Sequence, residues 1–233
     1  MKPPQEIPIK LFNEYTLDGN IAVQSYYLND TASQPRIYTK EMVEQMIEAA
    51  SARKMNYYGL TDAWLYQALD EYSIKGKNVV VYGSQEPWYE SICLSYGAKC
   101  TTIEYQEITS MHPGINAITP MQYEQSPTLF DAAISISSFE HDGLGRYGDP
   151  LNPNGDIEAM RKTKDALIPG GILYLAVPCA TKDILAWNAH RIYGPKRLPL
   201  LLQGWELLFV FGKLEEAQMP TGYIQPVFVL RKP

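Results

Sequence analysis

Hydrophobic and polar positions along the chain follow two different periods. In two stretches of the first third, apolar residues recur every three or four positions, which is typical of helices packed on one face. The first stretch begins at Thr39, whose side chain can accept a hydrogen bond from the open amides of a helix start, and the second follows Thr61. The pattern therefore predicts two consecutive helices between residues 39 and 72.

After residue 77 the period changes to short, nearly continuous apolar runs. The run NVVVY at residues 78–82 is rich in β-branched side chains and ends in Gly83, as expected for a strand buried on both faces of a parallel sheet. Similar runs follow, separated by helical patterns at 87–96 and 156–167. They lie at residues 100–105, 115–118, 130–136, 172–178, 205–211 and 223–230. Strands alternating with helices predict an α/β fold with a doubly wound, mostly parallel sheet.

Residues 1–38 are polar and broken by four prolines, so we expect an N-terminal arm or lid there. No linker or internal repeat interrupts residues 39–233, which we expect to form a single domain. A length of 233 residues suits one large α/β domain.

Composition and charge narrow the possible partners. A formal charge of −6 opposes binding to nucleic acid, which depends on cationic contacts to phosphates. No apolar run approaches the roughly 20 residues of a membrane helix, so no membrane partner is expected. Three cysteines at unrelated spacings match neither a disulfide framework nor a zinc site, which favours a cytoplasmic location.

The turn after the first predicted strand is the strongest chemical signal. Gly83 would let a ligand approach the backbone, and Glu104 ends the next strand about 20 residues later, where a carboxylate can accept hydrogen bonds from ribose hydroxyls. Nicotinamide dehydrogenases and methyltransferases share this spacing. A dehydrogenase turn needs three glycines to admit a pyrophosphate, and this turn has one. An NAD(P)-dependent oxidoreductase is therefore the less favoured alternative.

The order of later motifs resembles the class I S-adenosylmethionine-dependent methyltransferases over residues 58–233. FDAAISISSFEH is followed by a helix, by PGG and by ILYLAVP. A narrower resemblance, to a family within that superfamily catalogued only as a domain of unknown function, rests on GSQEPWYE (83–90), SSFEHDGLGRYGDPLNPNGD (137–156) and NAHRIYG (188–194). The resemblance implies a Rossmann-like, seven-stranded sheet with helices on both faces, antiparallel last strands, and S-adenosyl-L-methionine as cofactor.

The same resemblance implies which residues hold the cofactor. Gly83, Ser84 and Gln85 would line its methionine side, Glu104 would hold the ribose, the backbone at 118–120 would approach the adenine, and Ser137 and Ser138 would lie beneath the sulfonium. The turn departs from the family pattern in lacking the second and third glycines. A methyltransferase-fold protein that binds a nucleotide or partner without turnover is therefore a further alternative.

Glu140 and His141 follow the fourth predicted strand, at the edge where chemistry takes place in such folds. An alcohol acceptor must lose a proton, and a histidine titrating near neutrality is a suitable base. Glu140 would orient the imidazole or serve as the base itself. The alternative is that His141 only hydrogen-bonds its own loop.

The Gly-rich loop at 143–150 and the segment after the fifth strand would hold the acceptor. The residues concerned are Arg146, Tyr147, Asp149, Asn188 and Arg191. Two arginines facing one pocket would suit a carboxylate or phosphate group on the acceptor. His141, Asp142 and Asp149 are possible magnesium ligands, but their spacing does not require a metal, and we expect none. Together these features predict O-methylation of a small-molecule or sugar hydroxyl, with a small-molecule or glycan acceptor as the partner.

Overall fold

The computed structural model describes residues 2–31, 34–213 and 222–233. Its strands are β1 (Ala22–Tyr26), β2 (Arg36–Tyr38), β3 (Asn78–Tyr82), β4 (Lys99–Ile103), β5 (Ile108–Ser110), β6 (Ile115–Ile118), β7 (Phe130–Ile136), β8 (Leu167–Ala176), β9 (Ile184–Asn188), β10 (His190–Ile192), β11 (Glu206–Phe211) and β12 (Val227–Arg231). Its α-helices are α1 (Phe12–Thr16), α2 (Lys40–Ser51), α3 (Leu60–Glu71), α4 (Trp88–Ser95), α5 (Pro120–Gln125), α6 (Gly155–Ala166) and α7 (Leu198–Leu201). No helix within these ranges combines the length and the apolar character needed to cross a membrane.

Seven strands form one sheet in the order β11–β12–β8–β7–β3–β4–β6. Neighbours from β8 to β6 are parallel, whereas β12 runs antiparallel to both β8 and β11. The predicted mostly parallel α/β fold is confirmed. Of the two last strands, β12 alone runs against the sheet, because β11 is antiparallel to β12 and so has the direction of the others.

Apolar residues on alternate positions of the strands bury both faces of this sheet. Val79 and Val81 pack on one face in a core that includes Leu69 and Ile92 from the helices α3 and α4. Val80 packs on the other face, in a core completed by α6. Because successive side chains of a strand point to opposite faces, a continuous run of valines suits a strand covered on both sides.

Most of the predicted boundaries agree with the structure to within a few residues. The Thr39 hydroxyl accepts a hydrogen bond from the Met42 amide at 3.2 Å and caps α2 as expected. The prediction that the helix ends at PGG and that the strand starts at residue 172 is wrong. Strand β8 begins at Leu167, and PGG forms an irregularity between the pairs Phe130–Leu167 and Ala132–Ile172.

The first 38 residues supply strands that the hydrophobic pattern does not reveal. β1 pairs in parallel with β9, which pairs antiparallel with β10, and β2 pairs in parallel with β5. A small apolar cluster then ties this segment to the Gly-rich loop and to β9. Its buried members are Tyr15, Ile21, Leu144, Leu185 and Trp187. The division into an arm and a domain at residue 38 stays a prediction.

The order of strands reverses at β3, since β4 and β6 lie on one side and β7 and β8 on the other. In open α/β sheets, ligands bind in the crevice outside the carboxyl ends of the strands at such a point. The turns that follow β3, β4 and β7 are therefore where the fold predicts a ligand-binding site.

Candidate functional site

A cavity of about 580 Å³ opens at the carboxyl ends of β3, β4 and β7. Many of the predicted site residues line its wall: Gly83, Gln85, Glu104, Ser137, Ser138, His141, Tyr147 and Asp149. Pro120, at the end of the segment expected near an adenine, also lines it. The remaining predicted residues, Ser84, Glu140, Arg146, Asn188 and Arg191, lie outside this lining and contact residues behind it. Sequence reasoning missed Arg36, which lines the cavity from β2.

The turn after β3 is closed by a contact that requires glycine. Gly83 has a φ of 72°, and a Cβ atom at this position would lie 2.1 Å from the Ser138 Oγ. Ser84 is buried, and its hydroxyl accepts a hydrogen bond from Tyr38 at 3.0 Å. The glycine therefore brings the end of β3 against the end of β7, while Ser84 anchors the turn from behind.

Glu104 directly follows β4 and faces the same turn. Its Oε1 accepts hydrogen bonds from the amides of Tyr105 and Gln106 at 2.8 and 3.4 Å. Its Oε2 lies 3.9 Å from Nη1 of Arg36, which also donates to the Ser84 carbonyl at 2.6 Å. Burial raises the pKa of Glu104, and the Arg36 charge opposes that shift. Arg36 thus links the turn after β3 to the carboxylate after β4.

Glu140 forms a buried polar group with its neighbours behind the cavity wall. The Ser137 hydroxyl donates to Glu140 Oε1 at 2.6 Å, and the same oxygen lies 3.7 Å from His141 Nε2. Glu140 is fully buried, and this burial raises the pKa of its carboxyl to about 7 against the opposing hydrogen bond from Ser137. Among the described residues, its Oε2 has no hydrogen-bond partner.

His141 is held in one tautomer by the backbone. Its Nδ1 lies 2.6 Å from the Ala189 carbonyl, so Nδ1 carries the hydrogen and Nε2 keeps its lone pair. Burial, together with the charge of Arg146, lowers the pKa of His141 to about 3 against the opposing hydrogen bond to Ala189. The expectation of a histidine titrating near neutrality is wrong, because the imidazole is neutral there and Glu140 is the group that titrates.

Internal contacts fix the Gly-rich loop. The Arg146 Nε donates to Asp30 at 2.7 Å, and the Arg146 guanidinium lies 4.8 Å from the centre of the Tyr147 ring. The Asp149 carboxylate accepts hydrogen bonds from the amides of Gly145 and Tyr147 at 3.1 and 3.3 Å. Within this loop, Tyr147 and Asp149 line the cavity, and the hydrogen bonds of Arg146 and Asp149 hold the loop in shape.

Asn188 and Arg191 are buried behind the same loop. The Asn188 side chain accepts a hydrogen bond from the Leu28 amide at 2.8 Å. The Arg191 guanidinium donates to the carbonyls of Asp142 and Pro153 at 2.7 and 3.1 Å, and its Nε lies 3.6 Å from Asp156. These bonds occupy the Arg191 guanidinium within the protein. Arg146 and Arg191 therefore do not both face an acceptor.

The cavity wall carries more negative than positive groups. Its carboxyl groups are Glu104, Glu124, Asp142, Asp149 and Asp165, and its cations are Arg36 and Lys162. Burial and the Asp149 charge raise the pKa of Asp142 well above its usual range. The carboxyl groups of the wall outnumber its cations five to two. This balance favours a cationic ligand over an anionic one. In the part of the chain that the structure describes, no cluster of three or more His, Cys, Asp or Glu side chains is arranged to hold a metal ion.

The chain belongs to the family described as Caenorhabditis protein of unknown function, DUF268, whose model matches residues 76–223. None of the curated proteins matches it. Solved methyltransferases nevertheless share its fold. A Burkholderia thailandensis 1,6-didemethyltoxoflavin-N1-methyltransferase, solved with that substrate and S-adenosylhomocysteine, is 15% identical, with a TM-score of 0.51 over 81% of this chain and 79% of that one.

Two further structures agree. A TehB-like S-adenosylmethionine-dependent methyltransferase from Corynebacterium glutamicum is 15% identical, with a TM-score of 0.50 over 83% of this chain and 97% of that one. TehB from Haemophilus influenzae is 14% identical, with a TM-score of 0.50 over 80% of this chain and 67% of that one. At these identities the likeness shows the fold, which is the Rossmann-like fold of class I methyltransferases.

Proposed function

We propose that this DUF268 member is an S-adenosylmethionine-dependent methyltransferase that methylates a hydroxyl group of a small molecule or sugar. The observation that carries the proposal is the cavity at the reversal of strand order, where the Gly83 turn packs against Ser138 and Glu104 stands at the end of the adjacent strand. Its methyltransferase neighbours include one solved with S-adenosylhomocysteine, which supports the same choice of cofactor.

The residues at the cavity fit this cofactor in three respects. The volume of about 580 Å³ lies within the range of roughly 300–1,000 Å³ that small-molecule sites occupy. Glu104 offers a carboxylate to ribose hydroxyls beside the Gly83 turn, which would contact the methionine side together with Gln85. The negative balance of the wall favours a positively charged sulfonium and opposes a pyrophosphate, so it supports this cofactor over NAD(P).

When bound, S-adenosylmethionine supplies an activated methyl group, and the protein has to position the acceptor and remove its proton. We assign removal of the acceptor's proton to His141. The Ala189 carbonyl fixes the hydrogen on Nδ1, so Nε2 is able to accept that proton. A protonated imidazole would be destabilised by burial and by Arg146. The Glu140 carboxylate, 3.7 Å from Nε2, offsets that effect once it is ionised.

This arrangement assigns different parts to the remaining residues. Ser137 orients Glu140 through its hydrogen bond, and Ser138 closes the turn beneath the reacting groups. Tyr147 contacts the acceptor from the loop wall. Arg146, Asp149, Asn188 and Arg191 act indirectly, by holding the loop and β9 in the shape that the acceptor meets.

Binding of S-adenosylhomocysteine tests the proposal directly. We expect it to bind the wild-type chain in isothermal titration calorimetry, whereas Glu104→Gln loses about 1–3 kcal/mol, the scale of a charge-assisted hydrogen bond. The matched control is Glu206→Gln, which changes an exposed glutamate paired with Arg231 at the edge of the sheet and should leave binding unchanged. Binding of NAD by a wild-type protein that ignores S-adenosylhomocysteine would contradict the proposal.

A further inference from the structure

Five rings form a connected group beside the cavity, which we call the aromatic cluster: Tyr26, His141, Tyr147, His190 and Tyr223. His190 occupies its centre. The His190 ring centre lies 6.5 Å from that of Tyr26, 6.1 Å from that of His141 and 6.0 Å from that of Tyr223. Tyr147 extends the group through a contact of 5.7 Å with His141.

The aromatic cluster is continuous with the site where the proposed transfer takes place. His141 and Tyr147 belong both to the cluster and to the cavity wall. Tyr26 comes from β1, His190 from β10 and Tyr223 from the segment before β12, so widely separated parts of the chain meet here. Because Tyr26 is 56% exposed, one side of the cluster is open to a ligand from solvent.

The cluster is neutral but rich in hydrogen-bonding atoms. Burial lowers the pKa of His190, as it does that of His141, so both imidazoles are uncharged at neutral pH. Burial raises the pKa of Tyr147 and of Tyr223, so both keep their phenolic hydrogens. The nearby Arg146 is paired with Asp30 at 2.7 Å. An ionised acceptor group would therefore lose its hydration without gaining an unpaired opposite charge, which disfavours carboxylates and phosphates.

The orientation of the rings distinguishes between two kinds of uncharged ligand, flat aromatic molecules and puckered saturated rings. The four ring contacts are edge-on, with interplanar angles of 66°, 87°, 82° and 64°. A flat aromatic acceptor stacks best against ring faces that are parallel to it, whereas these faces turn in successive directions. A puckered saturated ring can place C–H groups on one face and hydroxyls against the imidazole nitrogens and phenols at the same time.

We infer that the aromatic cluster binds the methyl acceptor and that this acceptor is an uncharged sugar unit. The inference rests on the proposed function, which it deepens by naming the substrate class. It assigns His190 and Tyr26, which no step of the transfer uses, to recognition of the sugar ring.

Saturation-transfer NMR on the full chain loaded with S-adenosylhomocysteine tests this assignment. The probes are the methyl glycosides of glucose, galactose, mannose, rhamnose and N-acetylglucosamine, compared with glucose 6-phosphate, glucuronate and catechol. We expect saturation of ring protons in at least one neutral glycoside. His190→Ala and Tyr26→Ala should each weaken that binding roughly three- to tenfold, the effect of one aromatic contact. Phe209→Ala, an exposed ring on β11, should leave it unchanged.

Three results would overturn the inference: no signal from any neutral glycoside, a stronger signal from a charged sugar or from catechol, or glycoside binding that survives in both variants. Tyr26 is exposed, so Tyr26→Ala keeps the test decisive even if His190→Ala fails to fold. A separate titration with S-adenosylhomocysteine distinguishes failure of the sugar assignment from failure of the proposed function. If S-adenosylhomocysteine binds and glycosides do not, the sugar assignment fails alone; if S-adenosylhomocysteine does not bind, the proposed function fails.

Discussion

At the scale of single residues, burial moves the pKa values of Glu140 and His141 in opposite directions. Both adjacent side chains lose water, and each therefore favours its uncharged form: the pKa of Glu140 rises to about 7 and that of His141 falls to about 3. The sequence places an acid and a histidine together, but it contains nothing that specifies the depth of burial. The identity of the titrating group therefore follows from the fold.

Stability against pH should show the shift of Glu140. The carboxyl is protonated in the folded protein up to about pH 7 but ionises near 4.5 in the unfolded chain, so the folded state binds more protons between these values. The free energy of unfolding contributed by Glu140 is present below pH 4.5 and is lost as pH rises through 7. The difference amounts to about 3 kcal/mol, and Glu140→Gln should remove it.

Urea denaturation of wild type and Glu140→Gln at pH 4.5 and pH 8 measures this effect. We expect the variant to gain about 3 kcal/mol relative to wild type between the two pH values, because glutamine stays uncharged at both. The Glu140 charge raises the pKa of Asp142, so the comparison measures the ionisation of Glu140 together with its coupling to Asp142. A difference between the two proteins that is independent of pH would show that Glu140 ionises normally.

At the scale of elements, strands buried on both faces are predicted well from the sequence. The bounds of β3 and β7 match the predicted runs, because strands in the middle of a sheet require continuous apolar residues. The bounds of β6 match as well, although β6 lies at the edge of the sheet. β1 was not predicted, since all its residues are exposed and it is held by backbone pairing with β9. Such a strand depends on its partner and leaves no periodic signal of its own.

The turn after β3 provides a prediction about an element junction. Gly83→Ala combines a left-handed backbone with a clash against Ser138, whereas Gly76→Ala has a similar φ of 74° and nothing within 4 Å of the added carbon. The control Gly76→Ala should lose about 1–2 kcal/mol of stability, the cost of that backbone conformation alone. Gly83→Ala should lose more and should also lose affinity for S-adenosylhomocysteine in calorimetry. Equal losses of stability with intact affinity would show that the close approach to Ser138 is unimportant.

At the scale of the whole molecule, the site joins parts of the chain that the sequence presents separately. Gly83 and Glu104 were predictable because their spacing reflects one βαβ unit. Arg36 was not predictable, because it reaches Glu104 from β2, which pairs with β5. The sequence around either residue does not indicate this contact. The aromatic cluster was missed for the same reason. The first 38 residues supply Arg36 and Tyr26, so these long-range contacts depend on how that segment packs.

The last prediction concerns how independently that segment is held. Ile21 is buried in the small cluster with Tyr15, Leu144, Leu185 and Trp187. Ile21→Ala should destabilise this cluster by about 2–5 kcal/mol, the usual cost of such a truncation in a core. If the cluster opens separately from the main sheet, amide hydrogen exchange should accelerate roughly tenfold or more in β1, β9 and residues 143–151, and little in β3 and β7.

Ile92→Ala is the matched comparison, because Ile92 is fully buried in the main core with Val79 and Ile134. It should accelerate exchange in β3 and β7, where truncation of Ile21 has little effect. Hydrogen exchange followed by mass spectrometry resolves these segments. If Ile21→Ala accelerates exchange equally in all strands, the first 38 residues fold as one cooperative unit with the sheet. The predicted boundary at residue 38 would then have no counterpart in the stability of the protein.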